Sequence, residues 1–143
     1  MNKSKGFTII ELIVVIAIIA VLATIVLVNV TSYINKGKDA AIKGNVATII
    51  TNAAVYFDDI NGGNGDYLLF TGSALYTVPA AAIVSAGKAA TTGITTIGDK
   101  FCVCATLFDT TLGTFCADSS GYKKATNVAC ATRCPATTGV CVD

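Results

Sequence analysis

The sequence predicts an α+β fold: a long N-terminal helix, apolar enough in its first half to cross a membrane, packed through its second half on a small antiparallel β-sheet head. Three observations predict it. Between Phe7 and Val28 only Thr8, Glu11 and Thr24 are polar, so 19 of 22 positions are apolar. From Val46 onward apolar residues recur at helical spacing. Beyond Lys100 two strand-like runs flank a short loop, and all six cysteines lie in that last stretch.

The chain has 143 residues, 53% apolar and 13% charged, and ten basic against nine acidic side chains leave a formal charge of +1. That length fits one domain. A near-neutral balance without a Lys/Arg block supplies no electrostatic attraction to phosphate backbones, so no direct nucleic-acid partner is expected. There is no His, which removes the commonest general acid–base, the Ser–His and Cys–His nucleophiles and the usual imidazole ligand. The chain reads as non-enzymatic, with no catalytic residue, cofactor or metal expected.

The apolar run of 22 residues makes roughly 33 Å of helix, enough for a hydrocarbon core of about 30 Å. Lys3 and Lys5 precede it and hold that end in the cytoplasm, which puts the head on the far side. Three readings compete for such a segment: a secretory signal cut after Val21-Leu22-Ala23, a plain anchor, and a leader removed on the cytoplasmic side before the run. Glu11 discriminates among them. A carboxylate costs about 2.5 to 3.5 kcal/mol near the centre of a membrane helix, less close to the interface, and neither a plain anchor nor a secretory signal has a use for it.

The run Gly6-Phe7-Thr8-Ile9-Ile10-Glu11-Leu12, behind a charged leader, resembles the class III leader and N-terminal helix of bacterial type IV pilins and their pseudopilin relatives. The resemblance implies that a prepilin peptidase cuts between Gly6 and Phe7 and methylates the new Phe7 amine. It further implies that Glu11 pairs with the Phe7 amine of a neighbouring subunit and sets subunit register. Chemistry agrees independently: an intramembrane carboxylate usually has a partner, and cleavage would create one in a charged amine at Phe7. The bland alternative for a chain considered alone is a Glu that stays protonated or snorkels to the interface. One departure stands out. Many family members carry a Gly and then a Pro in the second half of the apolar segment, where this chain has Ala20 and Val28, so the usual helix-breaking point is not encoded.

Helix can continue through Gly37 and Gly44 at about 1 kcal/mol each relative to Ala. Val46, Ile49, Ile50, Ala53, Ala54, Phe57 and Ile60 then mark one buried helical face, so a single helix of roughly 80 Å is expected from Phe7 to about Ile60. The expected parts are a leader at 1–6, a long helix at 7–60 with 7–28 in the membrane or filament core, and a head at 61–143. Asn61 to Asp66 ends the helix, because Gly and Asn accept the left-handed conformation of helix caps. Asp58, Asp59, Asn61, Asn64 and Asp66 invite a calcium loop, but Asn64 falls where an EF-hand needs Gly and Phe70 where it needs Glu; a solvated turn is the better reading. Tyr67 to Phe70 and Leu75 to Val78 read as short strands, Pro79 to Ala86 as a helical turn, and the Thr/Gly-rich 91–98 as a loop. Phe101 to Leu107 and Gly113 to Asp118 read as a hairpin joined by Phe108 to Leu112, with Ser119-Ser120-Gly121 as a turn and Tyr122 to Val128 as a third strand.

Cys102, Cys104, Cys116, Cys130, Cys134 and Cys141 form an even set in an exported head, which reads as a disulfide framework. Cys-x-Cys and Cys-x3-Cys lack the paired spacing of structural zinc modules, and there is no Cys-x-x-Cys redox pair. A hairpin loop centred near Thr110 places Cys104 opposite Cys116 and predicts a disulfide between them. The remaining four would tie the C-terminal turns to the sheet in an order left open.

The expected function is a structural subunit of a type IV pilus or pilus-like filament, polymerising through its apolar helix after processing. Its partners would be copies of itself or pilin co-subunits, a prepilin peptidase, inner-membrane assembly machinery and membrane lipid. It would sit in the cytoplasmic membrane as a single-pass protein before assembly, and in an extracellular or periplasmic filament afterwards. The alternatives are a pseudopilin of a type II secretion or competence system, and a monomeric anchored binding domain whose helix only tethers it.

Overall fold

The computed structural model describes residues 6–59, 61–95 and 98–143. In order, the elements are helix α1 (Ile9–Asp58), a single 3-10 turn (Phe70–Gly72), helix α2 (Ala74–Ser85), strands β1 (Ala90–Ile94), β2 (Phe101–Thr106), β3 (Thr114–Asp118) and β4 (Lys123–Thr126), and a short helix α3 (Cys130–Arg133). Two compact units share this chain, one through Asn35 and the other Lys36–Asp143.

The N-terminal unit is the first part of α1, with a mean hydropathy of 3.2 over an 18-residue window. Every described side chain from Gly6 to Ile34 is exposed. A helix that is apolar all round and whose described side chains are exposed suits lipid or other helices, not water.

In the C-terminal unit, α1 buries Asp39, Ile42, Val46, Ile49, Ala53 and Tyr56. Their spacing of three and four residues keeps them on one stripe of a helix. Of the stripe expected from sequence, Val46, Ile49 and Ala53 are buried, and Ile50 and Phe57 pack at its margin. Ala54 is exposed, since it stands one residue past Ala53 and therefore points away; Ile60 lies outside the described residues. The helix ends where Gly63 N–H donates to Tyr56 O at 2.9 Å and Gly65 N–H to Phe57 O at 2.9 Å. A side chain at Gly63 would sit 2.4 Å from that same Tyr56 carbonyl, so the turn admits only glycine there.

The strands form an antiparallel meander in the order β1-β2-β3-β4. One face of the sheet, carrying Phe101, Val103, Ala105 and Ala117, joins the α1 stripe with Phe70 and Ile83 in one core. Phe70 meets Phe101 edge-on, with ring centroids 5.1 Å apart. The opposite face carries Cys102, Cys104 and Cys116, and the C-terminal segment covers it. Because both faces are covered, Phe101 to Ala105 are all buried, and the strand reads as a continuous apolar run with no alternation.

Three expectations need correction. Tyr67 to Phe70 and Leu75 to Val78 are not strands: the first leads into the 3-10 turn, and the second is the start of α2, which runs through Pro79. A proline removes the bond to the carbonyl four residues back, here that of Leu75, and Asn52 of α1 fills the vacancy by donating Nδ2–H to it at 2.6 Å. The 91–98 loop is instead largely β1, paired to β2 from Ala90↔Ala105 to Ile94↔Phe101. Its Thr and Gly residues carry little strand signal, but Gly93 is required, since a Cβ would lie 2.8 Å from the Pro135 carbonyl crossing above it.

The third correction concerns the cysteines. The register does place Cys104 opposite Cys116, but the disulfides are Cys102–Cys134, Cys104–Cys130 and Cys116–Cys141. Directly opposite residues on neighbouring strands hold their Cβ atoms about 4.5 to 5.5 Å apart, wider than the roughly 3.8 Å a disulfide favours. Both thiols instead project from the same face onto the C-terminal segment, which presents three partners.

Candidate functional site

The N-terminal segment sets out its chemistry in six residues. Gly6 and Phe7 precede the helix and are exposed, Phe7 by 80%. Thr8 stands one residue before α1, and Glu11 lies in its first turn. The Thr8 amide donates to Glu11 Oε2 at 2.8 Å, the Thr8 hydroxyl donates to the same oxygen at 2.8 Å, and the Glu11 amide donates back to Thr8 Oγ1 at 3.3 Å. This reciprocal pattern is a capping box, in which two N–H groups that the helix start would leave unpaired are satisfied by side chains.

The arrangement matters because such groups have no water to turn to in hydrocarbon. Thr24, the remaining polar residue of the apolar run, donates its hydroxyl to Val21 O at 2.7 Å. Thr8, Glu11 and Thr24, the polar residues of the apolar run, therefore all have partners within their own segment. Thr8 is the residue that sequence reasoning passed over. The signal was present, since Thr-Ile-Ile-Glu ahead of an apolar run is the sequence form of a capping box.

Gly6 and Phe7, the expected cleavage point, are thus next to the cap and outside the helix, in backbone without regular structure. An exposed peptide bond outside a helix is accessible to a peptidase, whereas one inside a helix is not. Met1 to Lys5 lie outside the described residues.

The C-terminal unit holds three buried charged side chains that the sequence did not mark: Asp39, Asp118 and Arg133. Asp39 accepts the amides of Phe108 at 2.6 Å and Asp109 at 2.9 Å, which fastens the β2–β3 loop to α1. Asp118 accepts from Ser120 N–H at 2.9 Å and Cys141 N–H at 2.8 Å. Arg133 donates to Val142 O at 3.2 Å, Lys124 O at 3.0 Å and the Tyr122 hydroxyl at 3.2 Å. Buried charges with this many partners are structural supports. Asp118 and Arg133 hold the last turns of the chain against the sheet beside the three disulfides.

On the surface next to Arg133, the Asp143 carboxylate accepts from the Tyr122 hydroxyl and from Lys124 Nζ at 2.9 Å. The Tyr122 hydroxyl first, and then Lys124, hold the Asp143 carboxyl below the usual carboxylate range, and Asp143 in turn raises the Lys124 ammonium above its ordinary value.

A family profile described as the prokaryotic N-terminal methylation motif matches residues 1–27. That motif is the class III leader signature of type IV pilins. It points to a structural protein that is processed by a prepilin peptidase and assembles with pilin subunits. Neither the curated proteins nor the solved structures contain a match to the chain.

Proposed function

We propose that this protein is a non-enzymatic structural subunit of a type IV pilus or pilus-like filament. The observation that carries the reading is the methylation motif at the head of a helix whose described apolar side chains are exposed from Phe7 to Ile34. Residues 1–6 form the leader, removed between Gly6 and Phe7 with methylation of the Phe7 amine. Before assembly the chain crosses the cytoplasmic membrane once, with the C-terminal unit outside. On assembly the helix exchanges lipid for the helices of other subunits, a change that van der Waals packing and paired polar groups drive. Identical subunits added head to tail without closure make a helical filament.

In this reading Glu11 changes partners. In the uncut chain its carboxylate accepts from Thr8, while the nitrogen of residue 7 is still an amide. Cleavage turns that nitrogen into a charged amine that methylation leaves charged. A neighbour's amine then pairs with Glu11 and sets the axial step between subunits.

Intact mass and N-terminal sequencing test the processing. The mature chain is expected to start at Phe7 and carry one methyl group. A chain that starts at Thr24 or retains Met1 sinks the pilin assignment. Electron microscopy of isolated fibres, with a copy count, separates a filament subunit from a pseudopilin, and the absence of fibres together with a monomeric, uncut chain selects the tethered binding domain.

A further inference from the structure

A cavity of about 530 Å³ opens in the C-terminal unit where the β2–β3 loop faces the segment that follows β4. That volume is in the range of small-molecule sites. Phe108 and Val128 give it apolar wall, Thr106, Thr110 and Asn127 give it hydroxyl and amide groups, and half-buried Lys88 gives it a charge. Among the described residues no carboxylate lines it.

Two ammonium groups share one aromatic ring at the edge of this cavity. Lys88 Nζ lies 4.4 Å and Lys38 Nζ 5.0 Å from the centroid of the one Phe108 ring. Among the described residues the ion pairs are Lys124–Asp143 and Arg133–Asp143, so neither of these lysines has a carboxylate within 4.0 Å. The two carboxylates adjacent in sequence are hydrogen-bonded to groups of the β2–β3 loop and do not line the cavity: both Asp39 oxygens accept the amides of Phe108 and Asp109, and Asp109 Oδ1 accepts the amide and hydroxyl of Thr111. An aromatic face attracts a cation but does not neutralise it. The lining therefore offers the Lys88 ammonium to an incoming anion with no carboxylate beside it.

We propose that this cavity binds an acidic saccharide, whose carboxylate Lys88 holds. Lys38 adds to the positive potential through its place at the same ring. The sugar hydroxyls meet Thr106, Thr110 and Asn127, and the carbon face of the ring rests on Phe108 and Val128. A bare inorganic anion would leave the hydroxyl and apolar walls unused, and a fatty acid would strip water from the threonines and Asn127 without replacing its hydrogen bonds. The inference does not rest on filament assembly, because every residue it uses belongs to one copy of the C-terminal unit.

The test is titration of the full-length chain in detergent micelles with trigalacturonic acid, its methyl ester and sodium sulfate, followed by calorimetry and amide chemical shifts. Trigalacturonic acid is expected to bind one per chain and to move the amides of Phe108, Thr110 and Asn127, with the uncharged ester at least about tenfold weaker. Lys88→Gln is expected to weaken binding about tenfold, and exposed Asn127→Ala by a smaller factor, while Lys100→Gln outside the cavity leaves it unchanged. Disulfide mapping confirms that each variant is folded, and Asn127→Ala carries the test if Lys88→Gln is not. No binding, equal binding of acid and ester, sulfate binding as tight as the trisaccharide, or affinity indifferent to both cavity variants overturns the proposal.

Discussion

In the proposed filament Glu11 would have two roles that ordinary mutagenesis confounds, because its carboxylate completes the cap with Thr8 and carries the charge that the filament reading needs. Glu11→Val removes both. Glu11→Gln keeps an oxygen for the Thr8 amide and removes only the charge, so it separates them. With the variant as the sole copy and cleavage confirmed by mass, Glu11→Gln should reduce fibre number as severely as Glu11→Val. Normal fibres with Gln and none with Val would make Glu11 a cap and end the charge-pairing account. Asp143 offers a second residue-scale test through pH. Its carboxyl is lowered by the Tyr122 hydroxyl and Lys124, so this contact is complete above the ordinary carboxylate value and is lost as pH falls through the lowered one. At the other limit it is lost as pH rises through the raised value of Lys124. In a carboxyl-detected NMR titration, Tyr122→Phe should raise the Asp143 midpoint most and Lys124→Gln less; a midpoint that neither moves would refute the assigned causes.

At the scale of elements, α1 contains two glycines that its own chain does not need. A Cβ at Gly37 or Gly44 would meet nothing within 4 Å, and neither has a positive φ. Alanine at each should therefore raise stability by about 0.5 to 1 kcal/mol through helix propensity and lower unfolded-state entropy. Urea unfolding of the full chain in micelles measures it, and a decrease would show a close packing partner at that position. The α1 stripe was legible because residues such as Val46, Ile49 and Ala53 are small or aliphatic and repeat at helical spacing. Helix α2 and strand β1 were not. The first takes its place because Asn52 receives the carbonyl that Pro79 frees, and the second because β2 presents an unpaired edge; neither cause lies within the segment's own residues.

For the whole molecule, the three disulfides close spans of 32, 26 and 25 residues, and all join the sheet to the segment from Cys130 to Cys141. Loops of that length correspond to about 3 to 4 kcal/mol each in the chain-entropy model, taken singly. Replacing the Cys116–Cys141 pair by serines should therefore lower the unfolding free energy by about 2 to 4 kcal/mol in chemical denaturation. Peptide mapping of non-reduced protein should recover the three pairs and no free thiol. A Cys104–Cys116 peptide would restore the simpler hairpin pairing and overturn the covered-face arrangement.

What the sequence determined by itself is local. An apolar run of span length, a cap motif at its start, a helical stripe beyond it and a hairpin register can each be read from residues a few positions apart, because their physics acts over one turn or one loop. Tertiary structure decided the rest: which cysteine meets which, why Asp39, Asp118 and Arg133 can be buried as charges, and how a Thr/Gly-rich stretch becomes a strand. The cysteine pairing and the burial of Asp118 and Arg133 depend on the C-terminal segment closing over the second face of the sheet, whereas Asp39 is covered by the β2–β3 loop and β1 forms on the edge of β2. Spacing along a chain does not say which segment covers which face, so only the folded molecule could show it.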